Sequence, residues 1–400
     1  LPCVMQINYS LKRLKGWMRP ARRHPGLLLA PARVEVHYQP LGVIGIMVPW
    51  NFPVMLSLGP LIGAIAAGNR AMIKLSEFTP HTNAVLRTLL AQVFGDDEVV
   101  VIEGDAGLAA AFSTLPFDHL LFTGSTAVGR QVMAAAAPQL TPLTLELGGK
   151  SPCLIAPDMP LALAVERMIF GKSLNAGQIC VAPDYVLLPR GQEQGFIEAY
   201  QTHFRRLYPK GLDSPDYGSI INAAQYERLT AWLAEAKQAG AQAHPCASPA
   251  RDDGARRLVP HLLTEVPGHC QLMQQEIFGP LLPLVPYDSI EEAIAYVAAR
   301  PRPLALYLMS LDETLQSRLI RETHAGGMAI NECLFQVAAD DAPFGGIGPS
   351  GMGHYHGHEG FLTFSKAKTV LRRGRFSTGN LIHPPYRRWY QQLMMALFLR

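Results

Sequence analysis

Apolar and polar residues alternate from Ala32 to Tyr38 (Ala-Arg-Val-Glu-Val-His-Tyr), the two-residue period of a strand with one wet face. Gly42 to Val48 is instead an unbroken apolar run with β-branched members, as expected of a strand buried on both faces of a parallel sheet. Pro49-Trp-Asn-Phe-Pro53 stops it, and Leu56 to Gly68 reads as a helix closing on glycine. Ala71 to Lys74 supplies the next strand, Thr79-Pro80 opens a helix running through His81 to Phe94, and Val99 to Glu103 and His119 to Phe122 add two short strands. This alternation predicts a doubly wound α/β unit.

After Thr144 to Leu147 the Gly148-Gly149 break introduces a second α/β stretch. Strands are expected at Pro152 to Ile155, Asp184 to Leu188 and Leu281 to Val285, and helices at Pro160 to Phe170, Gln192 to Tyr208, Ala223 to Ala239 and Ile290 to Ala299. The expected division is 1–147, 148–345 and a C-terminal return over 346–400. The apolar tail from Trp389 to Leu399 is too short to cross a bilayer and reads as a segment that docks on protein.

Composition narrows the function. With 400 residues the chain exceeds one hydrophobic core, and 48% hydrophobic against 17% charged residues excludes disorder. Thirty-five Lys and Arg against 32 Asp and Glu leave a charge of +3, which points to a small-molecule substrate and away from nucleic acid. The basic stretch from Lys12 to His24 reads as a solvated helix end and loop. Six scattered cysteines lack the spacing of a disulfide framework or a zinc site, so a reducing cytoplasm is expected. No signal pattern or membrane-length apolar run is present. The chain opens on Leu1 and enters structured-looking sequence at once, which suggests residues missing from the front.

Two segments carry chemistry. Cys180 sits in Asn175-Ala-Gly-Gln-Ile-Cys-Val-Ala-Pro-Asp184, where small residues frame one thiol before a strand, the open turn that a nucleophile needs. A lone cysteine is otherwise an inert packing residue. The deciding context is Glu146 in Leu145-Glu-Leu-Gly-Gly-Lys-Ser-Pro152, a carboxylate at a strand end between apolar neighbours, where burial raises its pKa and makes it a usable base. Gly124-Ser-Thr-Ala-Val-Gly129 follows a strand and opens a helix, placing free N–H groups where a pyrophosphate can bind.

These stretches resemble the aldehyde dehydrogenase superfamily, whose two signatures are similar to Leu145 to Pro152 and Gly177 to Cys180, in the same order. Further matches are Pro49-Trp-Asn-Phe-Pro53, Lys74-Leu-Ser-Glu77, Phe122-Thr-Gly-Ser-Thr126, Glu276-Ile-Phe-Gly-Pro280 and Pro343-Phe-Gly-Gly346. Gly16-Trp-Met-Arg-Pro20, Tyr38-Gln-Pro-Leu-Gly42 and Tyr355-His-Gly357 resemble the branch of class 3, fatty aldehyde and bacterial coniferyl aldehyde dehydrogenases.

The resemblance implies a Rossmann-like NAD(P)-binding domain over 1–147, a catalytic domain over 148–345, and a return over 346–400 that shares in oligomerisation. It implies that Cys180 attacks the aldehyde, that Asn51 and the Cys180 N–H hold the oxyanion, and that Glu146 activates water against the thioester. Trp50, Lys74, Glu77, Gly124, Ser125 and Val128 would hold NAD, or NADP, which this branch often accepts. Glu276 and Phe278 would meet the nicotinamide-side ribose and ring. No metal is implied. The expected substrate is coniferaldehyde or another aromatic or long-chain aldehyde, in a channel that Met55, Tyr185 and Phe344 help to line. A homodimer is expected, with Arg33 to Tyr38 as an edge strand.

Two patterns are set aside. Gly346-Ile-Gly-Pro-Ser-Gly351 fits a dinucleotide fingerprint in letters only, since it follows a loop and carries Pro349. His354, His356 and His358 alternate in a glycine-rich stretch without accompanying ligands and read as loop residues. Two rival functions remain: a truncated, catalytically silent binding protein, and an acylating enzyme that passes the thioester to coenzyme A. Glu146 favours water over coenzyme A.

Overall fold

A computed structural model describes residues 1–376 and 378–398. The first sheet has six strands in the order Gly351–Met352, Leu143–Glu146, His119–Thr123, Val43–Met47, Arg70–Lys74 and Val99–Ile102, all parallel except the first. The second has seven: Gln242–Pro245, His261–Thr264, Leu281–Tyr287, Tyr185–Pro189, Pro152–Ile155, Ala305–Met309 and Gly327–Ile330, with only the first antiparallel. Between Glu146 and Pro152 the chain thus passes from one sheet to the other, through Gly148 and Gly149.

The strands expected from apolar runs form within a residue or two of their predicted limits, because parallel strands covered on both faces must be continuously apolar. Ala305–Met309 lies between Pro152–Ile155 and Gly327–Ile330 with every residue buried, yet the pattern reading did not anticipate it. A six-residue apolar run after Pro301 and Pro303 has no period that separates strand from helix.

The third sheet corrects an expectation. Arg33–Pro40 is its central strand, flanked by Ala21–Arg23 and, in full eight-residue register, by Ser365–Arg372. It is therefore not an edge. Alternation reveals that one face of a strand is wet but says nothing of how many neighbours it has. Ala21–Arg23, inside the basic stretch read as helix end and loop, is the other unanticipated partner. Among the described residues no helix is long and apolar enough to cross a membrane.

Buried Asn69 joins three parts of the chain. Its amide nitrogen donates to the Ala64 carbonyl at 3.0 Å and the Phe364 carbonyl at 2.8 Å, and its oxygen accepts from the Gly42 N–H at 2.9 Å. The helix before it, the strand pair beside it and the C-terminal return are tied at one side chain. Asn69→Ala takes the side-chain partner from the Phe364 carbonyl and the Gly42 N–H, while the Ala64 carbonyl keeps the backbone N–H of residue 69 at 3.0 Å, and we expect a loss of about 3 kcal/mol in urea unfolding. A loss below about 1 kcal/mol would mean that water replaces the amide.

Candidate active site

One cleft of about 1170 Å³ runs along the C-terminal ends of the first sheet and reaches the second. Cys180, Glu146 and Asn51 line it. So do Trp50, Lys74, Glu77, Gly124, Ser125, Val128, Glu276 and Phe278. Parallel strands deliver several of these side chains: Lys74 ends Arg70–Lys74, Glu146 ends Leu143–Glu146, and Asn51 follows Val43–Met47 in the break before the helix Pro53–Ala66. Ligands bind at such strand ends in open α/β sheets.

The cleft suits a dinucleotide. Ser125 caps the helix Thr126–Ala136 by accepting the Val128 N–H at 3.3 Å, and the remaining first-turn donors of that helix favour an anion. A side chain at Gly124 would lie 2.5 Å from the Phe122 ring, so glycine keeps this approach open. Thr123 Oγ1 is buried without a partner in the protein. Lys74 is buried and meets the half-exposed Glu77 at 3.3 Å, leaving a cation and a carboxylate side by side. Phe278, held at φ 47°, sits edge-on to Trp50 with ring centres 5.4 Å apart.

The nucleophile is presented by an unusual turn. Asn175, Ala176 and Gly177 adopt φ of 51°, 52° and 74°, three left-handed residues in succession where L side chains pay about 1–2 kcal/mol each. Gly177 has no alternative, since a Cβ there would lie 2.6 Å from the Gly279 carbonyl oxygen. The buried Gln178 amide holds the turn. It donates to the Asn175 and Ser219 carbonyls at 2.9 and 3.1 Å and accepts from the Ile221 N–H at 3.0 Å. Asn175 donates to the Asn51 carbonyl at 3.2 Å, and Asn51 Nδ2 donates to the Gln178 carbonyl at 3.2 Å. One amide proton of Asn51 is thereby fixed, and the other is free for an oxyanion.

Burial, then the nearby Glu276 and Glu146 carboxylates, push the Cys180 thiol up to about 12. Glu146 is buried with neither carboxylate oxygen hydrogen-bonded, and burial alone lifts it well above the usual carboxylate range. Glu276 is raised to about 8 by burial and by Asp184, against the pull of the Gly149 N–H, Lys150 and Arg228. A set of positioning residues was not foreseen. Lys150 pairs with buried Asp184 and donates to the Leu272 and Gln275 carbonyls at 2.6 and 3.0 Å. Asp184 also accepts the Ile277 N–H at 2.8 Å. The backbone on both sides of Glu276 is thus fixed, and its carboxyl group packs over Gly148, where any Cβ would collide with it.

Other expectations separate here. Tyr185 is buried in the second sheet against Tyr296 and cannot line a channel, because its strand is covered on both faces. Phe344 is half-buried against the core that supports Cys180 and stacks on the His356 ring. Met55 is half-buried beside Cys3. Gly346 and Gly351 fold tightly on their own backbone, and Gly351 pairs with Glu146, so this stretch braces the base's strand. His358 stacks on Trp17. All six cysteines are free thiols.

Comparison with known proteins gives the family. The profile described as the aldehyde dehydrogenase family matches residues 6–370, and the chain belongs to that family. It is an oxidoreductase that acts on an aldehyde. It is 53% identical over 400 residues to a probable coniferyl aldehyde dehydrogenase of Pseudomonas aeruginosa, covering all of this chain and 83% of that protein. Among solved structures, the substrate-bound state of Staphylococcus aureus AldH is similar at TM-score 0.93 and 40% identity, over 100% of this chain and 86% of the other. A Mycobacterium tuberculosis aldehyde dehydrogenase complexed with NAD+ is similar at TM-score 0.84 and 30% identity, over 94% and 78%.

The buried carboxyl groups carry a pH prediction. A carboxyl group whose folded pKa is raised above its ordinary 4.5 keeps its proton in the native state, so its contribution to stability is lost as pH rises above that value. Glu146→Gln removes the ionisation without breaking a hydrogen bond. Its melting temperature is expected to exceed that of the wild type near pH 8, with the gap closing toward pH 5. A gap independent of pH would show that Glu146 is not held neutral by burial.

Proposed function

We propose that the chain oxidises coniferaldehyde, or another aromatic or long-chain aldehyde, to its acid through a thioester on Cys180, with NAD as cofactor and NADP also accepted. The observation that carries this is one cleft that holds a thiol, a fixed amide donor, a partnerless buried carboxyl group and a dinucleotide-sized approach. The substrate class is supported by the name of the Pseudomonas aeruginosa relative, and the cofactor by the NAD+ complex of the Mycobacterium tuberculosis enzyme.

Cys180 sulfur, as thiolate, bonds to the aldehyde carbon while the carbonyl oxygen takes the negative charge. Asn51 Nδ2 and the Cys180 N–H stabilise that oxygen. When bound, the nicotinamide ring supplies the acceptor for the hydride lost from the aldehyde carbon. Cys180 is left acylated. Glu146 then takes a proton from water, whose oxygen bonds to the thioester carbon as the C–S bond breaks, releasing the acid and the thiolate. Glu276, Phe278 and Trp50 would orient the nicotinamide end, with Lys74 and Glu77 at the adenine-side ribose. Glu77 opposes the extra phosphate of NADP and Lys74 attracts it, which suits dual use.

On the same reading, residues 1–147 form the cofactor-binding unit, 148–345 the catalytic unit, and 346–400 the return. The chain acts as a cytoplasmic homodimer, its open sheet edges at Ala21–Arg23 and Ser365–Arg372 available for subunit contact.

Formation of reduced cofactor and of acid from coniferaldehyde tests the reading. Cys180→Ala should abolish both while retaining dinucleotide binding. Asn51→Ala should lower turnover by about a hundredfold or more. Glu146→Gln should still give one burst of reduced cofactor and then stall as the thioester. Steady turnover in Cys180→Ala, or acyl transfer to coenzyme A in place of hydrolysis, would overturn the scheme.

A further inference from the structure

The C-terminal helix Trp389–Phe398 leaves an apolar stripe uncovered. Trp389, Leu393 and Leu397 stand four residues apart on one face of it and are 75%, 53% and 67% exposed. The opposite side is fastened by buried Gln391, whose Nε2 donates to the Leu381 and His383 carbonyls at 3.1 and 3.2 Å and whose oxygen accepts the Arg388 N–H at 3.1 Å. The helix is thus held against its own segment with the stripe turned outward. Phe376 and Tyr386, shortly before it, are exposed as well. So many large apolar side chains uncovered in one short stretch mark a contact surface.

The charge around the stripe has one sign. From Gly360 to Arg400 the sequence holds eight Lys and Arg and no Asp or Glu. Arg387 and Arg388, directly before the helix, are exposed. The Thr378 hydroxyl donates to the Ala30 carbonyl at 2.7 Å, which brings this segment to one end of the three-stranded sheet. At that end Arg372 pairs with Arg33, and Arg23 lies opposite Val34. Glu35 is the one acid on the three strands, and it is already engaged by His37 at 3.3 Å and Arg372 at 3.8 Å. An apolar stripe bordered by arginines therefore has no acidic counterpart of its own.

We infer that the face formed by this stripe and the arginines around it docks on the surface of an anionic lipid bilayer. Ten helical residues rise about 15 Å, half the thickness of a hydrocarbon core, so the helix lies along the surface and does not cross it. Leu393 and Leu397 sink among the acyl chains, Trp389 sits at headgroup level, and the guanidinium groups meet lipid phosphates. A second copy is a poorer occupant, because a twofold contact sets the patch against itself, arginine facing arginine with no acid to offset them. Nucleic acid would satisfy the arginines but leave Leu393 and Leu397 without an apolar partner. The strand edges stay free for subunit contact, and the inference does not depend on which aldehyde is oxidised.

Flotation of the full chain with vesicles tests this, comparing phosphatidylcholine alone with an equal mixture of phosphatidylcholine and phosphatidylglycerol. The wild type should float with the mixture and stay in solution with phosphatidylcholine, and raising the salt to about 0.5 M should release it. Leu393→Ser combined with Leu397→Ser, and separately Arg387→Glu combined with Arg388→Glu, should each cut the bound fraction about tenfold. Val85→Ser removes an exposed apolar side chain from the helix Pro80–Ala91 and should leave binding unchanged. A blue shift in tryptophan emission on adding the mixed vesicles should vanish in Trp389→Phe while most of the binding remains. Failure of the wild type to float, or equal flotation with both vesicles, would overturn the docking surface. So would dissociation of a dimer in the Leu393→Ser, Leu397→Ser protein with vesicle binding intact, which would assign the stripe to contact between copies. Tighter retention by a DNA duplex of arbitrary sequence than by the mixed vesicles would overturn it in favour of nucleic acid.

Discussion

The site depends on a run of backbone that no L residue adopts willingly. Asn175, Ala176 and Gly177 all turn left-handed, and the energy that sustains them comes from Gln178, whose buried amide satisfies a donor and two acceptors on either side. Because Asn175 also donates to the Asn51 carbonyl, and Asn51 to the Gln178 carbonyl, the same lock sets the distance between nucleophile and oxyanion donor. A loop of small residues would otherwise hold a thiol only loosely. The strain is thus the means by which groups from two sheets become one rigid arrangement.

The charges around that arrangement oppose one another in the resting state. Burial above all, and after it the neighbouring Glu276 and Glu146, raise the Cys180 thiol above its ordinary value. Lys150 and Asp184 matter to this because they fix the backbone around Glu276, keeping one of the two carboxylates at a set place.

Much of this was legible in the sequence, for identifiable reasons. Buried parallel strands announce themselves as apolar runs, and Cys180, Glu146 and Asn51 sit in local stretches whose composition already suggests open turns and a buried base. What escaped were the partners. Gln178 and Lys150 lie inside the two signature stretches, but their meaning comes from Ser219, Ile221, Leu272 and Gln275, which no local pattern connects to them. Tyr185 misled for the opposite reason: an aromatic near the nucleophile in sequence faces the interior of a sheet. Arg33–Pro40 showed its wet face in the alternation and concealed that both of its edges are taken.

That last strand has a consequence for how the molecule comes into being. Its two neighbours are Ala21–Arg23, made just before it, and Ser365–Arg372, made near the end of the described chain. On a ribosome, Arg33–Pro40 therefore emerges early and waits, with one row of N–H and C=O groups uncovered, while more than three hundred residues are synthesised behind it. Throughout that interval it is a template for any passing strand, including the same segment of another nascent chain. Its charged and polar positions, Arg33, Glu35, His37 and Gln39, alternate along the strand and so share one face, which gives a wrong partner little apolar surface to bury there.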